Sequence, residues 1–361
     1  MLSETDQSVA LLPASRVLVI GAGLIGTSIA LALTAGGHQV HLRDRTSSHG
    51  LVAASLGAGT VDEPDEVDLV VVAVPPAATA AVVVQALEQF LDATVTDVAS
   101  VKAPILADVR DCGADQRRYV GSHPMAGSHR SGPLTARADL FVDRTWVVAA
   151  GPQADPASVA QVEAVARLCG SRVEIMDPVE HDLAVAEVSH VPQIVSSLMA
   201  ANLVDVDPAH LQLAGQGVRD VTRVAASDPG MWTQIIMANR SAIRSRLVRL
   251  RGQLDEVVDH LDRPAAVTGL MTQGVHGTKL LPGKHGRTPL DYVDVVVEIP
   301  DSPGALARLF ADVGRAGVNV EDLSIDHDVR REVGYISIAV EQTKAAALGQ
   351  AMVDAGWSLR L

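Results

Sequence analysis

Hydrophobic and polar positions change rhythm three times along this chain, and each change predicts a different kind of element. From Arg16 the text RVLVIGAGLIGTSIALALTAGGHQVHLRDR runs as a short apolar stretch, a glycine turn, an apolar-periodic helix and an alternating stretch ending at Asp44, which predicts one βαβ unit. Residues 67–75 (VDLVVVAVP) are almost wholly apolar and stop at the Pro75-Pro76 breaker, as suits a parallel strand covered on both faces. Further strands are predicted at 94–98, 118–121 and 145–150, with helical or loop text between them. This alternation predicts a doubly wound α/β sheet of Rossmann type over 16–175.

After Met176 the strand rhythm stops. Residues 179–205 and 209–260 carry long helical patterns, predicting an all-helical middle domain over 176–261. Residues 262–290 collect Gly, Pro and Thr and read as a linker. From 291 to 361 strands at 292–299, 320–325 and 334–340, helices at 303–316 and 343–355 and a short terminal strand give a ferredoxin-like βαββαβ order. Residues 1–15 form a tail with no basic flank before a long apolar run, and no segment offers about 18 uninterrupted apolar residues.

Composition narrows the partners. The 361 residues carry 29 basic and 43 acidic side chains, a formal charge of -14, so the overall field repels nucleic acid and anionic membranes. Aromatic residues are 2% of the chain, too few for stacking platforms. A small anionic substrate still fits a locally positive pocket. Cys112 and Cys169 are the only cysteines; they suit free thiols in a reducing cytoplasm rather than a disulfide framework or a metal cluster, and no metal is expected.

Gly21-Ala22-Gly23-Leu24-Ile25-Gly26 fits G-x-G-x-x-G between a strand and a helix, the context that gives this motif meaning. Gly21 permits the tight turn, Gly23 lets a pyrophosphate approach, and Gly26 lets helix and strand close. The N–H groups around Leu24 and Ile25 face the phosphates. Asp44, at the end of the second strand, suits the ribose hydroxyls and disfavours a 2′-phosphate, so NAD is expected over NADP. Arg43 and Arg45 flank it as candidate phosphate partners, and Val74 and Pro75 end the next strand beside the cofactor.

Two further stretches, TDVASVKAP (96–104) and GSHPMAGSHRSG (121–132), follow predicted strands and should open at the same carboxyl edge of the sheet. Together with GAGLIGTSIA and RDVTRVAASDPGMW (219–232), they make residues 16–260 resemble the prephenate dehydrogenase family. Residues 291–361, with VEIPDSPGALARLFADVGRAGVNV, resemble the ACT-type amino-acid-sensing domain.

The first resemblance implies NAD-dependent oxidative decarboxylation of prephenate to 4-hydroxyphenylpyruvate, in tyrosine biosynthesis. It implies His123 as the group that takes or holds the hydroxyl proton, a task that suits neutral imidazole. Ser100 would orient it beside the nicotinamide, unless it serves only as a helix N-cap. Arg223 would bind the ring carboxylate through its planar fork, unless it forms a surface ion pair with its helical neighbour Asp220. His181, Gln193 and His129 complete the implied substrate set. Gln193 stands where many relatives have histidine, and His129 where they have glutamate, which leaves arogenate as an alternative substrate and 4-amino-4-deoxyprephenate as a third. At about 100° per residue, His190 and Gln193 share a helix face while His181 and His190 lie about 180° apart. One straight helix cannot aim all three at one point; a kink at Pro192 or a second subunit could.

A β-hydroxyacid dehydrogenase would place a catalytic lysine on the helical domain, and no lysine occurs between Lys102 and Lys279. The reading from a different class is a non-catalytic sensor of NAD and an amino acid. The ACT resemblance implies an aromatic amino-acid effector held by Asp301, Ser302, Pro303, Gly304 and Asn319. The apolar helical domain implies a homodimer, and the whole chain a cytoplasmic one.

Overall fold

The computed structural model describes residues 15–126, 132–281, 292–300, 302–328 and 333–360. It forms two units, residues 1–256 and 257–361.

The first unit is built on seven strands: β1 (Arg16–Ile20), β2 (Gln39–Arg43), β3 (Leu69–Val72), β4 (Thr94–Asp97), β5 (Tyr119–Pro124), β6 (Thr145–Ala150) and β7 (Arg172–Ile175). Their order is β2-β1-β3-β4-β5-β6-β7. All neighbours are parallel except β5 and β6. Five helices connect them: α1 (Leu24–Ala35), α2 (Ser47–Ser55), α3 (Pro76–Gln89), α4 (Ala103–Asp111) and α5 (Pro156–Leu168). Successive strand residues point to opposite faces, and both faces are dry. Val17, Val19, Leu69 and Val71 join Ile29, Leu33, Val162 and Val165 in one core, while Leu18, Val70 and Val72 join Val83, Leu87, Ile105 and Val109 in the other. That double burial explains the continuous apolar run of β3. The strand order reverses between β1 and β3, and such a switch point opens a crevice at the carboxyl ends of the strands.

The middle of the chain is helical: α6 (Pro178–Val185), α7 (Val191–Asn202), α8 (Pro208–Leu211), α9 (Gln216–Thr222), α10 (Pro229–Ala238) and α11 (Arg240–Asp259). Three of these begin on the same Asp-Pro device. Asp177, Asp207 and Asp228 accept N–H bonds from Val179, Ala209 and Met231, and the proline that follows each has no N–H to orphan and a φ already suited to a helix. Between α6 and α7, Ala186–His190 forms a π turn. Pro192 cannot donate to the carbonyl four residues back, and the helix widens just before it; the bend expected at Pro192 therefore takes this form.

In the second unit, α12 (Pro264–Lys279) occupies most of the stretch expected to be a linker. Its glycines misled that expectation. Pro264 sits in the first turn, where proline favours a helix, and no neighbouring atom approaches Gly269, Gly274 or Gly277. The rest of the expected linker, 282–290, lies outside the described residues. The predicted βαββαβ order then follows as β8 (Tyr292–Pro300), α13 (Ala305–Arg315), β9 (Asp322–Asp328), β10 (Val333–Glu341), α14 (Gln342–Asp354) and β11 (Ser358–Arg360). The four strands pair antiparallel in the order β11-β8-β10-β9. Val295, Val297, Ile336 and Ile338 pack under Leu309, Val313, Leu348 and Met352, and the Trp357 indole donates to Asp312 Oδ2 at 2.7 Å.

Candidate active site

The glycine turn leaves β1 in a shape only glycine tolerates. Gly21 has φ +107°, and a Cβ there would stand 2.3 Å from the Ala73 carbonyl oxygen. A Cβ at Gly26 would stand 1.9 Å from the Gly21 oxygen, so α1 packs on β1 only because that position has no side chain. At Gly23 nothing lies within 4 Å: the space beside this backbone is open, and α1 begins at Leu24 and Ile25 with its first N–H groups directed there. Val74 is half-buried and Pro75 exposed at the end of β3, along the same edge. These residues fit a dinucleotide.

Asp44 also holds the glycine turn in place. Its Oδ2 accepts from Ala22 N and its Oδ1 from Thr46 N, each at 2.7 Å, so it ties the end of β2 to the glycine turn. A carboxylate offers about four acceptor sites, which leaves room for ribose hydroxyls. Arg43 departs from expectation: its guanidinium is held by Glu63 and by Gln89 Oε1 at 3.1 Å, turned to structural use. Arg45 is exposed and makes no ion pair among the described residues.

His123 lies on β5, opposite Val147 of β6, rather than on the loop that follows. Pairing with the antiparallel β6 extends the strand three residues beyond its predicted end. The imidazole Nδ1 is 2.9 Å from His181 Nε2, and His181 Nδ1 is 2.8 Å from Asp182 Oδ1. Burial, with His181, Lys102 and His190 nearby, holds His123 well below the usual imidazole range, so it is neutral near pH 7. His181, expected to touch substrate, is fully buried with both ring nitrogens engaged. It supports His123 instead.

Ser100 does not cap a helix, because α4 starts at Ala103 with Lys102 in the cap position. Its Oγ is buried and has no hydrogen-bond partner among the described residues. A buried hydroxyl left unpaired is costly, and a ligand at this strand end would satisfy it. Lys102 beside it is wholly buried: its Nζ bonds Asp97 Oδ1 and donates to the Ser122 carbonyl at 2.6 Å. Asp97 also accepts from the Tyr119 hydroxyl at 2.7 Å and from Ala99 N at 2.9 Å. This charged knot fixes the ends of β4, which leads into Ser100, and β5, which carries His123.

On the helical side, the π turn shifts the phase so that His181, His190 and Gln193 are all buried. Asn239 Nδ2 donates to the Asp182 carbonyl at 2.8 Å and lies 3.1 Å from His190 Nδ1. The Trp232 ring stands edge-on to His190 at 6.0 Å. Gln193 Nε2 donates to the Val224 carbonyl at 2.9 Å and Ser196 Oγ to the Val221 carbonyl at 2.7 Å, pinning the turn that contains Arg223 against α7. Arg223 closes α9, is exposed, and makes no ion pair among the described residues; Asp220 instead accepts from Gln216. His129 and Asp301 lie outside the described residues.

Burial holds His190 down to about 4. Its folded form thus binds fewer protons than the unfolded chain between pH 6.5 and about 4, so its contribution to stability is present above that window and is lost as pH falls through it, at up to about 1.4 kcal/mol per pH unit. His190→Gln should flatten the acid limb of a denaturation midpoint plotted against pH; an unchanged slope would show that His190 does not titrate there.

Sequence reasoning missed Asp182, Lys102 and Asn239. Asp182 had a signal, an acid directly after a histidine in EHD. Lys102 had another, a lysine five residues after the acid that ends the TVTD strand. Asn239 had none.

Residues 29–175 match the family described as prephenate dehydrogenase, nucleotide-binding domain, and residues 177–267 match prephenate dehydrogenase, dimerization domain. The chain is 34% identical to the probable prephenate dehydrogenase NovF of Streptomyces niveus, over 85% of this chain and 89% of that protein. It is 28% identical to the prephenate dehydrogenase of Bacillus subtilis (strain 168), over 86% and 87%. Among solved structures, Synechocystis arogenate dehydrogenase shares 26% identity with a TM-score of 0.65, covering 74% of this chain and 100% of that one. Prephenate dehydrogenase from A. aeolicus, in complex with hydroxyphenyl propionate and NAD+, shares 25% identity with a TM-score of 0.68, covering 75% and 99%. By sequence over its two catalytic-unit domains and by fold, this chain belongs to the prephenate dehydrogenase family.

Proposed function

We propose that the chain is an NAD-dependent prephenate dehydrogenase that oxidatively decarboxylates prephenate to 4-hydroxyphenylpyruvate. The observation that carries this reading is His123: a neutral imidazole at the carboxyl edge of the sheet, with Nδ1 engaged by His181 and Nε2 without a partner among the described residues. NAD held along the glycine turn would supply the hydride acceptor for the ring carbon that bears the hydroxyl. His123 Nε2 takes the hydroxyl proton as that hydride leaves. The C–C bond to the ring carboxylate then breaks, its electron pair completes the aromatic ring, carbon dioxide departs, and the proton returns from His123 to the phenolic oxygen. Ser100 offers its unpaired hydroxyl to the cofactor or the substrate oxygen. His123 is half-buried, and bound substrate and cofactor would complete its cover and exclude water that would compete for the proton.

Arg223 binds the ring carboxylate in this reading. Loss of a charge-assisted, bidentate contact is worth about 1.5–3 kcal/mol, so Arg223→Ala should raise the KM for prephenate about 10- to 100-fold with a smaller change in KM for NAD. An unchanged KM would assign the carboxylate to another cation. NADH formation tests the function itself: prephenate with NAD should give it, and absence of turnover with both prephenate and arogenate would favour 4-amino-4-deoxyprephenate or a sensor. Arogenate is the second reading, favoured by Gln193. Its amide nitrogen gives one of its two N–H groups to Val224, which turns the carbonyl oxygen outward as an acceptor, and an acceptor suits an ammonium better than a ketone.

The helical domain is read as a homodimer interface. Leu198, Met199, Val204 and Met237 are exposed, within a region matched by the dimerization domain. The run Pro178–Asp205 is long and apolar enough to cross a membrane by composition, but it holds Asp182, His181 and Gln193 in internal hydrogen bonds. A monomer in sedimentation at micromolar concentration would remove the dimer. The βαββαβ module is read as an ACT-type domain. Gly304, with φ +90°, opens α13, and Ser302, Pro303 and Asn319 are exposed; Ser302 N and Ala305 N donate to the Pro300 and Ser302 carbonyls, so the N–H groups of Leu306 and Ala307 in the first turn are the ones that would meet an amino-acid carboxylate. If tyrosine alters neither rate nor thermal stability, that role fails. A cytoplasmic location is proposed on the acidic charge and free thiols.

A further inference from the structure

We propose that Asp182 and His181 are positioning residues that lock His123 in the tautomer with its proton on Nδ1, leaving Nε2 bare as the proton acceptor. The proposal deepens the reading of His123 as proton acceptor and rests on it.

The polarity of the chain follows from its far end. Asp182 Oδ1 accepts Lys102 N at 2.8 Å and Oδ2 accepts Ala103 N at 3.0 Å. With backbone N–H groups donating to both oxygens, the carboxylate meets His181 as an acceptor as well, so the proton of that 2.8 Å contact sits on His181 Nδ1. A neutral imidazole carries one N–H, so His181 Nε2 presents a lone pair. The 2.9 Å contact to His123 is then a hydrogen bond only if His123 Nδ1 donates it. The opposite tautomer would face two lone pairs across that distance. Free histidine prefers its proton on Nε2, so the chain reverses the intrinsic preference, and the reversal frees the atom that the reaction needs. When His123 takes the hydroxyl proton, the same chain stabilises the imidazolium, the role an acid plays behind a catalytic histidine elsewhere.

The frame is rigid on every side. Asp182 is anchored to the start of α4 through Lys102 and Ala103, and its own carbonyl is held by Asn239. The other titratable groups around the chain are Lys102 and His190. Lys102 has its Nζ committed to Asp97 and Ser122.

Asparagine at 182 should reverse the sequence. Its amide nitrogen can donate to His181 Nδ1, which moves the His181 proton to Nε2 and that of His123 to Nε2. The test is nitrogen-15 NMR of histidine-labelled full-length protein without substrate, with His123 assigned by its loss in His123→Asn. The native protein near pH 7 should show His123 protonated on Nδ1 and bare on Nε2. Asp182→Asn should show the opposite, with kcat lowered about 10²- to 10⁴-fold and the KM for NAD little changed. Protonation of Nε2 in the native protein would overturn the proposal, whatever the variant does. A folded Asp182→Asn protein with the native tautomer and native kcat would also overturn it, because a merely structural Asp182 leaves both unmoved. Since the tautomer is read without turnover, a native protein inactive on prephenate but bare at Nε2 would refute the substrate assignment and leave the positioning chain intact.

Discussion

Replacing His123 by asparagine is expected to lower kcat about 10²- to 10⁴-fold, the usual worth of a positioned general base, while KM for prephenate and NAD stays within a few-fold. The side chains are similar in reach, and the amide can keep a bond to His181 Nε2, so β5 should hold its register against β6. What the variant lacks is a basic atom for the hydroxyl proton. Because His123 is held well below the usual imidazole range by burial and by its neighbours, the native enzyme's kcat/KM should stay flat as pH falls through 6.5 and decline only on the far acid side. Steady-state kinetics across pH checks both statements. An Asn variant with native kcat would remove His123 from the chemistry, and a decline centred on pH 6.5 would show an imidazole open to water.

Lys102→Met is expected to cost about 3–5 kcal/mol of folding stability, the range for removing one member of a buried ion pair. Lys102 and Asp97 are both fully buried, and methionine fills much of the lysine's volume, so the loss is mainly that of the charge. Asp97 keeps only the Tyr119 hydroxyl and Ala99 N as donors, and the Ser122 carbonyl loses its partner beside His123. Urea denaturation measures the effect. A change below about 1 kcal/mol would mean that Asp97 is neutralised or solvated on its own, and the knot between β4 and β5 would then hold nothing.

Where the sequence was legible, one physical constraint dominated. The turn at Gly21–Gly26 has to avoid atoms at 1.9 and 2.3 Å, and side-chain-free positions at that spacing announce themselves. The double burial of β3 leaves an unbroken apolar run, and the module after residue 291 alternates cleanly along β8 and β10. Illegible features depended on partners far along the chain. His123 belongs to a strand because β6 pairs with it, and nothing in GSHP declares that. The π turn needs Pro192 together with a packed helix, so the phase between His181 and His190 cannot be counted along an ideal α-helix. Glycine punctuates loops more often than exposed helices, which is why residues 264–279 read as part of a linker over 262–290. Arg43 and Arg45 look alike in sequence, and only the fold shows that Glu63 and Gln89 take the first. Asp182 reaches His123 through the His181 ring, 58 residues beyond His123 in the chain, a relation that no local pattern contains.

The central claim is that one substrate loses hydride and carboxylate together at His123. The measurement that meets it most directly is a stoichiometry: prephenate labelled in its ring carboxylate, mixed with NAD and the purified chain, with NADH and labelled carbon dioxide followed in the same vessel. The account predicts that the two appear one for one and that both are suppressed alike in His123→Asn. NADH without labelled carbon dioxide, or carbon dioxide released without NAD, would contradict it.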